Sequence, residues 1–337
     1  MGGPLLSVVV PCFNEAGGLS ELRARLVAAC EAAVGDDFEV ILVDDGSSDG
    51  TREILTQFQS EDRRFACVFL SRNYGHQIAL TAGLNFVRGQ RVLVIDADLQ
   101  DPPELLEKMM AQMDAGFDVV YGRRRTRKGE TRFKRVSAKL FYRLLDSIVD
   151  IKIARDTGDF RLMSRRVVTA LGQMPEQHRF IRGMVSWVGF RQVPIDYDRD
   201  QRFAGDSKYP LGRMIQFAVD AVTGFSILPL RIATWLGFGL AGVSICLMVY
   251  VGASWLSGGT VAGWTSLMAA VLLIGSVQLI VIGILGEYVG RLYMQSKTRP
   301  LYFVDKVLRT EDAVDFEPAQ RQALNIGQNQ ITGSPSK

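Results

Sequence analysis

The sequence contains few cysteines and histidines, which excludes several kinds of site. Of 337 residues, four are cysteine (Cys12, Cys30, Cys67 and Cys246) and two are histidine. The cysteines are scattered and form no CxxC pair, so neither a disulfide framework nor a zinc site is expected. Free thiols are typical of a reducing compartment.

Charge is absent from one long part of the chain. No Asp, Glu, Lys or Arg occurs from Ile232 to Gly286, and SGGTVAG at 257–263 divides this stretch. A membrane-spanning helix needs about 20 apolar residues, so we predict transmembrane helices at 232–256 and 264–286. The alternative is a buried helical hairpin in a large soluble core.

The distribution of basic residues around the two predicted spans indicates their orientation. Basic residues lie outside both spans and are absent from the turn: Arg213, Arg231, Arg291, Lys297 and Arg299. By the positive-inside rule, both termini and the domain before the spans are expected on the cytoplasmic side of an inner membrane. The N-terminus MGGPLLSVVVP lacks the basic region and cleavage site of a signal peptide.

A second basic feature lies in the middle of the chain. Residues 123–135 contain eight Lys or Arg and one acid, and the formal net charge of the chain is only +3. Residues of about 132–149 follow with interleaved apolar and basic side chains, a pattern typical of a helix lying at a membrane interface. No exposed aromatic residues accompany the patch, so nucleic-acid binding is not expected.

The first 125 residues alternate β-branched runs with helical stretches. We predict strands at 6–11, 38–44, 65–71, 90–98 and 117–122, with helices between them. This order indicates an α/β fold with a mostly parallel sheet covered by helices on both faces. Ligands of such sheets bind at the carboxyl ends of the strands, where PCFNEA, VDDGSSD and DADLQD fall.

The predicted organisation has five parts. A domain at 1–208 precedes an amphipathic juxtamembrane helix at 209–231 and the two spans. A C-terminal segment at 287–337 follows, and its polar, aperiodic residues from about 310 predict a disordered tail.

Asp96 and Asp98 raise the question of a cation, because neighbouring carboxylates repel. A Mg²⁺ or Mn²⁺ ion bridging Asp98 to a diphosphate would relieve that repulsion, and Gln100 could add an amide oxygen. The alternative is that these are loop carboxylates capping the next helix, for which Asp101 is better placed. Asp44 and Asp45 at another strand end are equally ambiguous, since they also fit an ordinary turn.

Together these motifs resemble family 2 glycosyltransferases with the GT-A fold. PCFNEA, ILVDDGSSDGT, LSRNYGHQIALTAG and VLVIDADLQDPPE correspond to the nucleotide-binding half. The later segments TGDFRLMSRR, RFIRGMVSWVGF, RFAGDSKYPL and LGEYVGRLY narrow the resemblance to polyprenyl-phosphate glycosyltransferases: bactoprenol glucosyltransferases, the aminoarabinose transferase of lipid A modification and dolichol-phosphate mannose synthases. The resemblance covers residues of about 5 to 305.

The resemblance implies a role for each matching position. The metal would be held by Asp98, Asp96 and Gln100. Independently of the resemblance, the basic helix of about 132–149 could present Lys134, Arg135 and Ser137 to the acceptor phosphate, and His76, in NYGHQ, is expected to shape the donor loop. The donor nucleotide sugar would contact Pro11, Phe13, Glu15, Val43, Asp45, Asp96, Ala97, Arg124, Arg202 and Lys208.

Asp159, in GDFRL, is the candidate on the acceptor side, and with Asp98 it completes the expected catalytic pair. The alternative is that it caps a helix starting at Phe160. The resemblance assigns this position to activating or orienting the acceptor. A phosphate monoester has a second pKa of about 6, so a polyprenyl phosphate needs little deprotonation. We therefore expect Asp159 to position the acceptor more than to act as a base.

The implied reaction is inverting transfer of a sugar, with glucose from UDP-glucose favoured, to undecaprenyl or another polyprenyl phosphate, in cell-envelope glycan or lipopolysaccharide modification. Mannose, galactose, N-acetylglucosamine and aminoarabinose derivatives stay open as sugars. Expected partners are the nucleotide sugar, the lipid phosphate, the membrane and a second copy of the chain in a homo-oligomer. A processive synthase would need a QxxRW motif that QHRF at 177–180 does not complete. A silent nucleotide-sugar-binding scaffold is disfavoured by the intact acidic motifs, and an oxidoreductase by the lack of GxGxxG.

Overall fold

The computed structural model describes residues 3–124, 157–198, 226, 228–257 and 263–309. The chain divides into two units. The first contains the described residues up to 198 and those from 299 onward. The second contains the described residues between 226 and 298. The predicted interfacial helix at about 132–149, most of the predicted juxtamembrane helix and the predicted disordered tail lie outside the described residues.

The first unit is an α/β domain whose elements alternate as the sequence predicts. Its strands are β1 (Leu6–Cys12), β2 (Phe38–Asp44), β3 (Phe65–Leu70), β4 (Arg91–Val94), β5 (Val119–Arg124), β6 (Thr157–Ser164), β7 (Gln192–Tyr197) and β8 (Val304–Leu308). Its α-helices are α1 (Leu19–Val34), α2 (Thr51–Glu61), α3 (His76–Phe86), α4 (Leu106–Asp114), α5 (Arg165–Gly172) and α6 (Ile181–Trp187). A short 3₁₀ turn, Pro103–Leu105, leads into α4.

The eight strands form one sheet in the order β7-β5-β6-β4-β1-β2-β3-β8. Strands β4, β1, β2 and β3 are parallel, which confirms the predicted parallel part. The sheet as a whole is mixed, because β6 runs antiparallel to both β4 and β5, and β8 runs antiparallel to β3. The sequence prediction did not assign strands β6, β7 and β8.

The centre of the sheet is buried on both faces. All seven residues of β1 and all seven of β2 are buried, which explains why the central residues of both strands are apolar on both faces and do not alternate. Helix α3 packs closely on these strands through Gly83. A Cβ at Gly83 would lie 2.3 Å from Val9 Cγ1, so only glycine allows this approach.

Strand β8 joins the sheet after the second unit and is held by a buried ion pair. Arg309, which follows β8, donates from Nη2 to Glu39 Oε2 in β2. Only 7% of the Arg309 side chain and 5% of the Glu39 side chain are exposed. Glu39 also accepts hydrogen bonds from Ser7 Oγ at 2.6 Å and from the backbone N–H of Arg88 at 2.7 Å. The residues after the long helices are therefore part of the first unit.

The second unit contains two long helices, α7 (Leu228–Leu256) and α8 (Trp264–Ser296). Both are long and apolar enough to cross a membrane, and only 6% and 0% of their most apolar windows are buried. Large apolar side chains on them are exposed, including Trp235 at 75% and Leu256 at 80%. This exposure contradicts the alternative of a hairpin buried in a soluble core.

The helix bounds differ slightly from the predicted spans. Helix α7 begins at Leu228, inside the stretch assigned to the juxtamembrane helix, and α8 continues ten residues beyond the predicted end at 286. This extension carries a Glu287–Arg291 ion pair of 3.0 Å, one turn apart. The predicted span ends at 286 because the charge-free stretch ends there. The helix continues past that point, because charged residues such as Glu287 are compatible with helical structure.

Candidate active site

The loop after β4 carries the acidic motif at the carboxyl end of the parallel strands. Asp98 Oδ1 accepts the backbone N–H of Gln100 at 3.1 Å, which closes a tight turn. Leu99 between them has φ of +58°, a left-handed conformation that non-glycine residues rarely adopt. Leu99 is only 3% exposed, so packing around this residue holds the turn in place. The backbone therefore presents both aspartates at the sheet edge.

Strand pairing brings a third carboxylate to the same place. Strands β4 and β6 pair Val94 with Arg161, and continuing that antiparallel register by two residues sets Asp96 opposite Asp159. The prediction that Asp159 and the Asp96 motif serve one site agrees with this register. The alternative in which Asp159 caps a helix starting at Phe160 is wrong, because Asp159 lies within β6.

The negative charge of Asp96 is only partly balanced by its surroundings. Among the residues that the structure describes, Asp96 Oδ1 is buried and has no hydrogen-bond partner, although His76 Nε2 lies 3.5 Å away. Burial, with repulsion from Asp159, Asp101 and Asp98, raises the pKa of Asp96 to about 6 despite the opposing effect of His76. A carboxylate in this state favours the approach of a cation.

The donor set of this loop fits a divalent cation that a substrate also ligates. The described part of the chain contains no group of three or more His, Cys, Asp or Glu arranged to hold a metal. Asp96 and Asp98 supply two carboxylates. Mg²⁺ is usually bound through one or two carboxylates together with substrate phosphates, so two are enough. Gln100 is half-buried next to them and contributes its backbone N–H to the turn.

Asp159 is the centre of a cationic hydrogen-bond network. Its carboxylate, 2% exposed, accepts Arg182 Nε at 2.9 Å, His76 Nε2 at 3.1 Å and Gln77 Nε2 at 3.1 Å. Arg161 Nη2 lies 3.7 Å from Asp159 Oδ1. Burial alone would raise the pKa of Asp159, but the Arg182 charge and the hydrogen bonds from His76 and Arg182 hold it well below its usual range.

Burial and the Asp159 charge also shift the pKa values of His76 and Arg161, two cationic residues of this network. Burial would lower the pKa of His76, yet its hydrogen bond to Asp159 and the charge of Asp96 raise that pKa to about 9. Burial lowers the pKa of Arg161 to about 10, against the attraction of Asp159. His76 thus contacts both acidic positions, whereas the sequence had suggested only a role in shaping a loop.

The loops after β1 and β2 are tied together at the same edge. Asn14 donates its backbone N–H to Ser47 Oγ at 3.0 Å, and Asn14 Oδ1 accepts the N–H of Ser48 at 2.9 Å. Asn14 has φ of +55°. Glu15 donates its backbone N–H to Thr51 Oγ1 at 3.0 Å. The two polar motifs therefore form one surface.

The predicted nucleoside residues differ in exposure. Phe13 is exposed and Glu15 is half-buried, whereas Pro11, Val43 and Ala97 are buried. Asp45 is also buried, and its two oxygens accept the backbone N–H groups of Tyr74 at 2.7 Å and Gly75 at 2.9 Å. Asp45 therefore holds the loop before α3 in place. Its contact with a nucleoside stays a prediction.

Arg124, at the end of β5, lies beside the acidic loop. Its Nε donates to the Tyr197 hydroxyl at 3.3 Å, and its Nη2 lies 3.7 Å from Asp101 Oδ1. Tyr197 donates its hydroxyl proton to Asp101, and the N-cap residue of the following turn is Pro102, which makes no side-chain cap hydrogen bond. A Cβ at Gly158 would lie 2.7 Å from Arg124 Nη2, at the flexible end of that side chain, so the Arg124 guanidinium packs over Gly158.

Five residues with a predicted role in phosphate binding lie in parts of the chain that the structure does not describe. Arg202 and Lys208, assigned to donor phosphates, and Lys134, Arg135 and Ser137, assigned to the acceptor phosphate, lie outside the described residues. Sequence reasoning in turn missed Gln77, Arg161 and Arg182 as partners of Asp159. All three stand in segments that carried the family resemblance (LSRNYGHQIALTAG, TGDFRLMSRR and RFIRGMVSWVGF), but their convergence depends on strand pairing.

Comparison with known proteins gives consistent results over the length of the chain. Residues 7–172 match the Glycosyl transferase family 2 model, and residues 228–292 match the GtrB C-terminal hairpin model. An uncharacterised glycosyltransferase of Bacillus subtilis (strain 168) is 43% identical over 301 residues, covering 89% of this chain and 93% of that protein. A bactoprenol glucosyl transferase of Shigella phage SfX is 36% identical over 305 residues, covering 89% and 98%.

Solved structures show a weaker likeness. A mannosyltransferase from Pyrobaculum calidifontis, in complex with GDP-Man and Mn²⁺, aligns with 85% of this chain and 87% of its own. Its TM-score is 0.44 and its sequence identity is 16%.

Proposed function

The chain belongs to glycosyl transferase family 2, and from that premise we propose that it transfers a hexose from a nucleotide sugar to a polyprenyl phosphate. The observation that carries the choice of acceptor is the extent of the alignment. Relatives called bactoprenol glucosyl transferases align over 89% of the chain, and the matching hairpin at 228–292 is the exposed apolar pair α7 and α8. A lipid acceptor stays in the bilayer, so its enzyme has to reach the membrane.

The proposed chemistry is one displacement with inversion. An oxygen of the lipid phosphate attacks the anomeric carbon of the donor. The bond from that carbon to the diphosphate oxygen breaks, and its electron pair leaves with the nucleoside diphosphate. The products are a lipid-phosphate sugar and the nucleoside diphosphate, and the sugar is β-linked if the donor is α-linked. No proton has to be removed, because the lipid phosphate is largely ionised above its second pKa of about 6.

Asp159 suits a positioning role in this reaction. Its carboxylate is ionised and already accepts hydrogen bonds from Arg182, His76 and Gln77. A base has to have a pKa near the working pH to be efficient, and the pKa of Asp159 is shifted away from neutrality. We infer that Asp159 orients cationic side chains towards the phosphate groups.

Asp96 and Asp98 would hold a Mg²⁺ or Mn²⁺ ion, with Gln100 beside them. When bound, that ion would neutralise the charge that develops on the departing diphosphate. The support from this chain is the buried Asp96 oxygen and the raised pKa of Asp96. Glucose from UDP-glucose is the favoured donor, because the relatives that share the hairpin are called glucosyl transferases.

The proposed location is the cytoplasmic face of the inner membrane, with both termini cytoplasmic. Strand β8 supports this topology, because it pairs with β3 after the chain has passed through both long helices. Two crossings return a chain to the side from which it started. The flanking Arg231 and Arg291 agree with the positive-inside rule. Association into a homo-oligomer is part of the proposal.

The test is a transfer assay on the purified full chain in nanodiscs. Undecaprenyl phosphate and Mg²⁺ or Mn²⁺ are supplied with UDP-glucose, UDP-galactose, UDP-N-acetylglucosamine, GDP-mannose or a UDP-aminoarabinose derivative. We expect transfer with one donor, and UDP-glucose is favoured. Binding of a nucleotide sugar without turnover of any donor would favour the silent scaffold.

A further inference from the structure

The side-chain amide of Gln77 links three elements of the first unit. Gln77 is the second residue of α3, and its Nε2 donates to Asp159 Oδ2 in β6 at 3.1 Å. Its Oε1 accepts the backbone N–H of Ile181, the first residue of α6, at 2.9 Å. A glutamine amide carries an NH2 group with two donors and a carbonyl oxygen that accepts, and Gln77 uses both groups.

The element held by this amide carries Arg182. Arg182 follows Ile181 directly, and its Nε and Nη2 donate to the two oxygens of Asp159 at 2.9 and 3.2 Å. Asp159 is 2% exposed, whereas 33% of the Arg182 side chain is exposed. Arg182 is therefore the member of the pair that reaches the surface, and His76, which shares Asp159 with it, lies 3.5 Å from Asp96. A guanidinium is well suited to phosphate oxygens.

We propose that Gln77 is a positioning residue that fixes the Arg182 guanidinium, through Asp159 and the first turn of α6, for contact with a phosphate group of the reaction. The proposal rests on the proposed function. The shared chemistry is a phosphate oxygen, supplied either by the lipid acceptor or by the donor diphosphate, and the kinetics below distinguish the two sources.

Loss of the amide would act on geometry more than on folding. Without it, the Ile181 N–H loses its acceptor, and Asp159 keeps Arg182 and His76 as donors. The start of α6 would then shift, and Arg182 with it. A displacement of about 1 Å in a positioned group can cost about 100-fold in rate.

The experiment compares Gln77→Ala and Gln77→Glu with wild type and with Gln57→Ala. Gln57 is the matched control, because its amide donates to Glu61 at 2.7 Å on the exposed face of α2. For each protein, kcat and KM are measured separately for the nucleotide sugar and for undecaprenyl phosphate, and the Tm is recorded. We expect Gln77→Ala to lose about 10- to 100-fold in kcat/KM for one of the two substrates, with Gln57→Ala unchanged.

Arg182→Lys identifies the phosphate. Lysine cannot reproduce the bidentate contact, so this variant should lose kcat/KM for the same substrate as Gln77→Ala. A loss for undecaprenyl phosphate assigns Arg182 to the acceptor, and a loss for the nucleotide sugar assigns it to the diphosphate. Losses for different substrates in the two variants would overturn the proposal.

Gln77→Glu keeps the acceptor for Ile181 and donates to Asp159 only when protonated. Its defect relative to wild type should therefore shrink as the pH falls below about 6 towards the ordinary glutamate pKa of about 4.3, whereas the defect of Gln77→Ala should not. This readout also serves if Gln77→Ala does not fold. The proposal fails if wild type is active and Gln77→Glu matches it at pH 8. An inactive wild type would instead refute the proposed function.

Discussion

The buried ion pair between Glu39 and Arg309 allows a quantitative test of whether the C-terminal strand belongs to the catalytic domain. The perturbation is Arg309→Met, which keeps much of the side-chain volume and removes the charge. Glu39 would retain its hydrogen bonds from Ser7 and from Arg88, whose side chain is 44% exposed. It would lose its buried cationic partner.

Breaking a buried ion pair by removing one partner costs about 3–5 kcal/mol. Because Arg88 still compensates Glu39 in part, we expect a value of about 3 kcal/mol. For a domain of this size, 1 kcal/mol corresponds to a Tm change of about 2–4 °C. The Tm should therefore fall by about 6–12 °C.

The assay is thermal unfolding of the full chain in detergent at a fixed scan rate, followed by tryptophan fluorescence. Lys306→Met on exposed β8 is the control and should change the Tm by less than about 2 °C. The double variant Glu39→Gln with Arg309→Met should lose less than the sum of the single variants, because neither charge is left buried alone. A loss below about 1 kcal/mol for Arg309→Met, or additive losses, would refute the reasoning.

Three further predictions follow from the described residues. Gly83→Ala should destabilise the domain by about 1–3 kcal/mol, because its Cβ would lie 2.3 Å from Val9 Cγ1, whereas Gly172→Ala, with nothing within 4 Å, is the control; equal Tm values would contradict this packing. Asp159→Asn should lower the Tm. Because Asp159 also raises the pKa of His76 to about 9, the Tm difference should grow as the pH falls from about 9 to the ordinary histidine pKa of about 6.5, and it should narrow only below the unfolded pKa of Asp159, about 3.9; a difference that shrinks between pH 9 and 6.5 would be the wrong sign. Asp98→Ala should reduce transfer by about 100-fold or more while membrane insertion persists, and EDTA should reduce transfer by wild type to a similar extent. Full activity of the variant, or of wild type in EDTA, would refute the proposed role of a metal ion.

Local sequence patterns predicted the parallel half of the fold well. Strands β1 and β2 are rich in valine and isoleucine at their centres because both faces are covered, and their polar loops follow at the carboxyl ends. The charge-free stretch likewise predicted two long apolar helices. Each of these features depends on residues that are close in sequence.

Features that depend on distant pairing were not predicted. Strand β8 is five residues long and partly exposed, and it becomes a strand only because the edge of β3 is available. The network at Asp159 joins residues up to 83 positions apart. From the sequence, His76 was expected only to shape a loop, and Gln77 and Arg182 had no predicted role. Only the β4–β6 register and the start of α6 bring them to one carboxylate.

The proposed attack of the lipid phosphate on the anomeric carbon is tested most directly by the phosphorus content of the lipid product. Wild type is incubated with undecaprenyl phosphate and the active nucleotide sugar, and the purified product is examined by ³¹P NMR and mass spectrometry. The account predicts one phosphorus atom per product molecule, in a phosphodiester between lipid and sugar, with release of the nucleoside diphosphate. A product with two phosphorus atoms and release of the nucleoside monophosphate would contradict it.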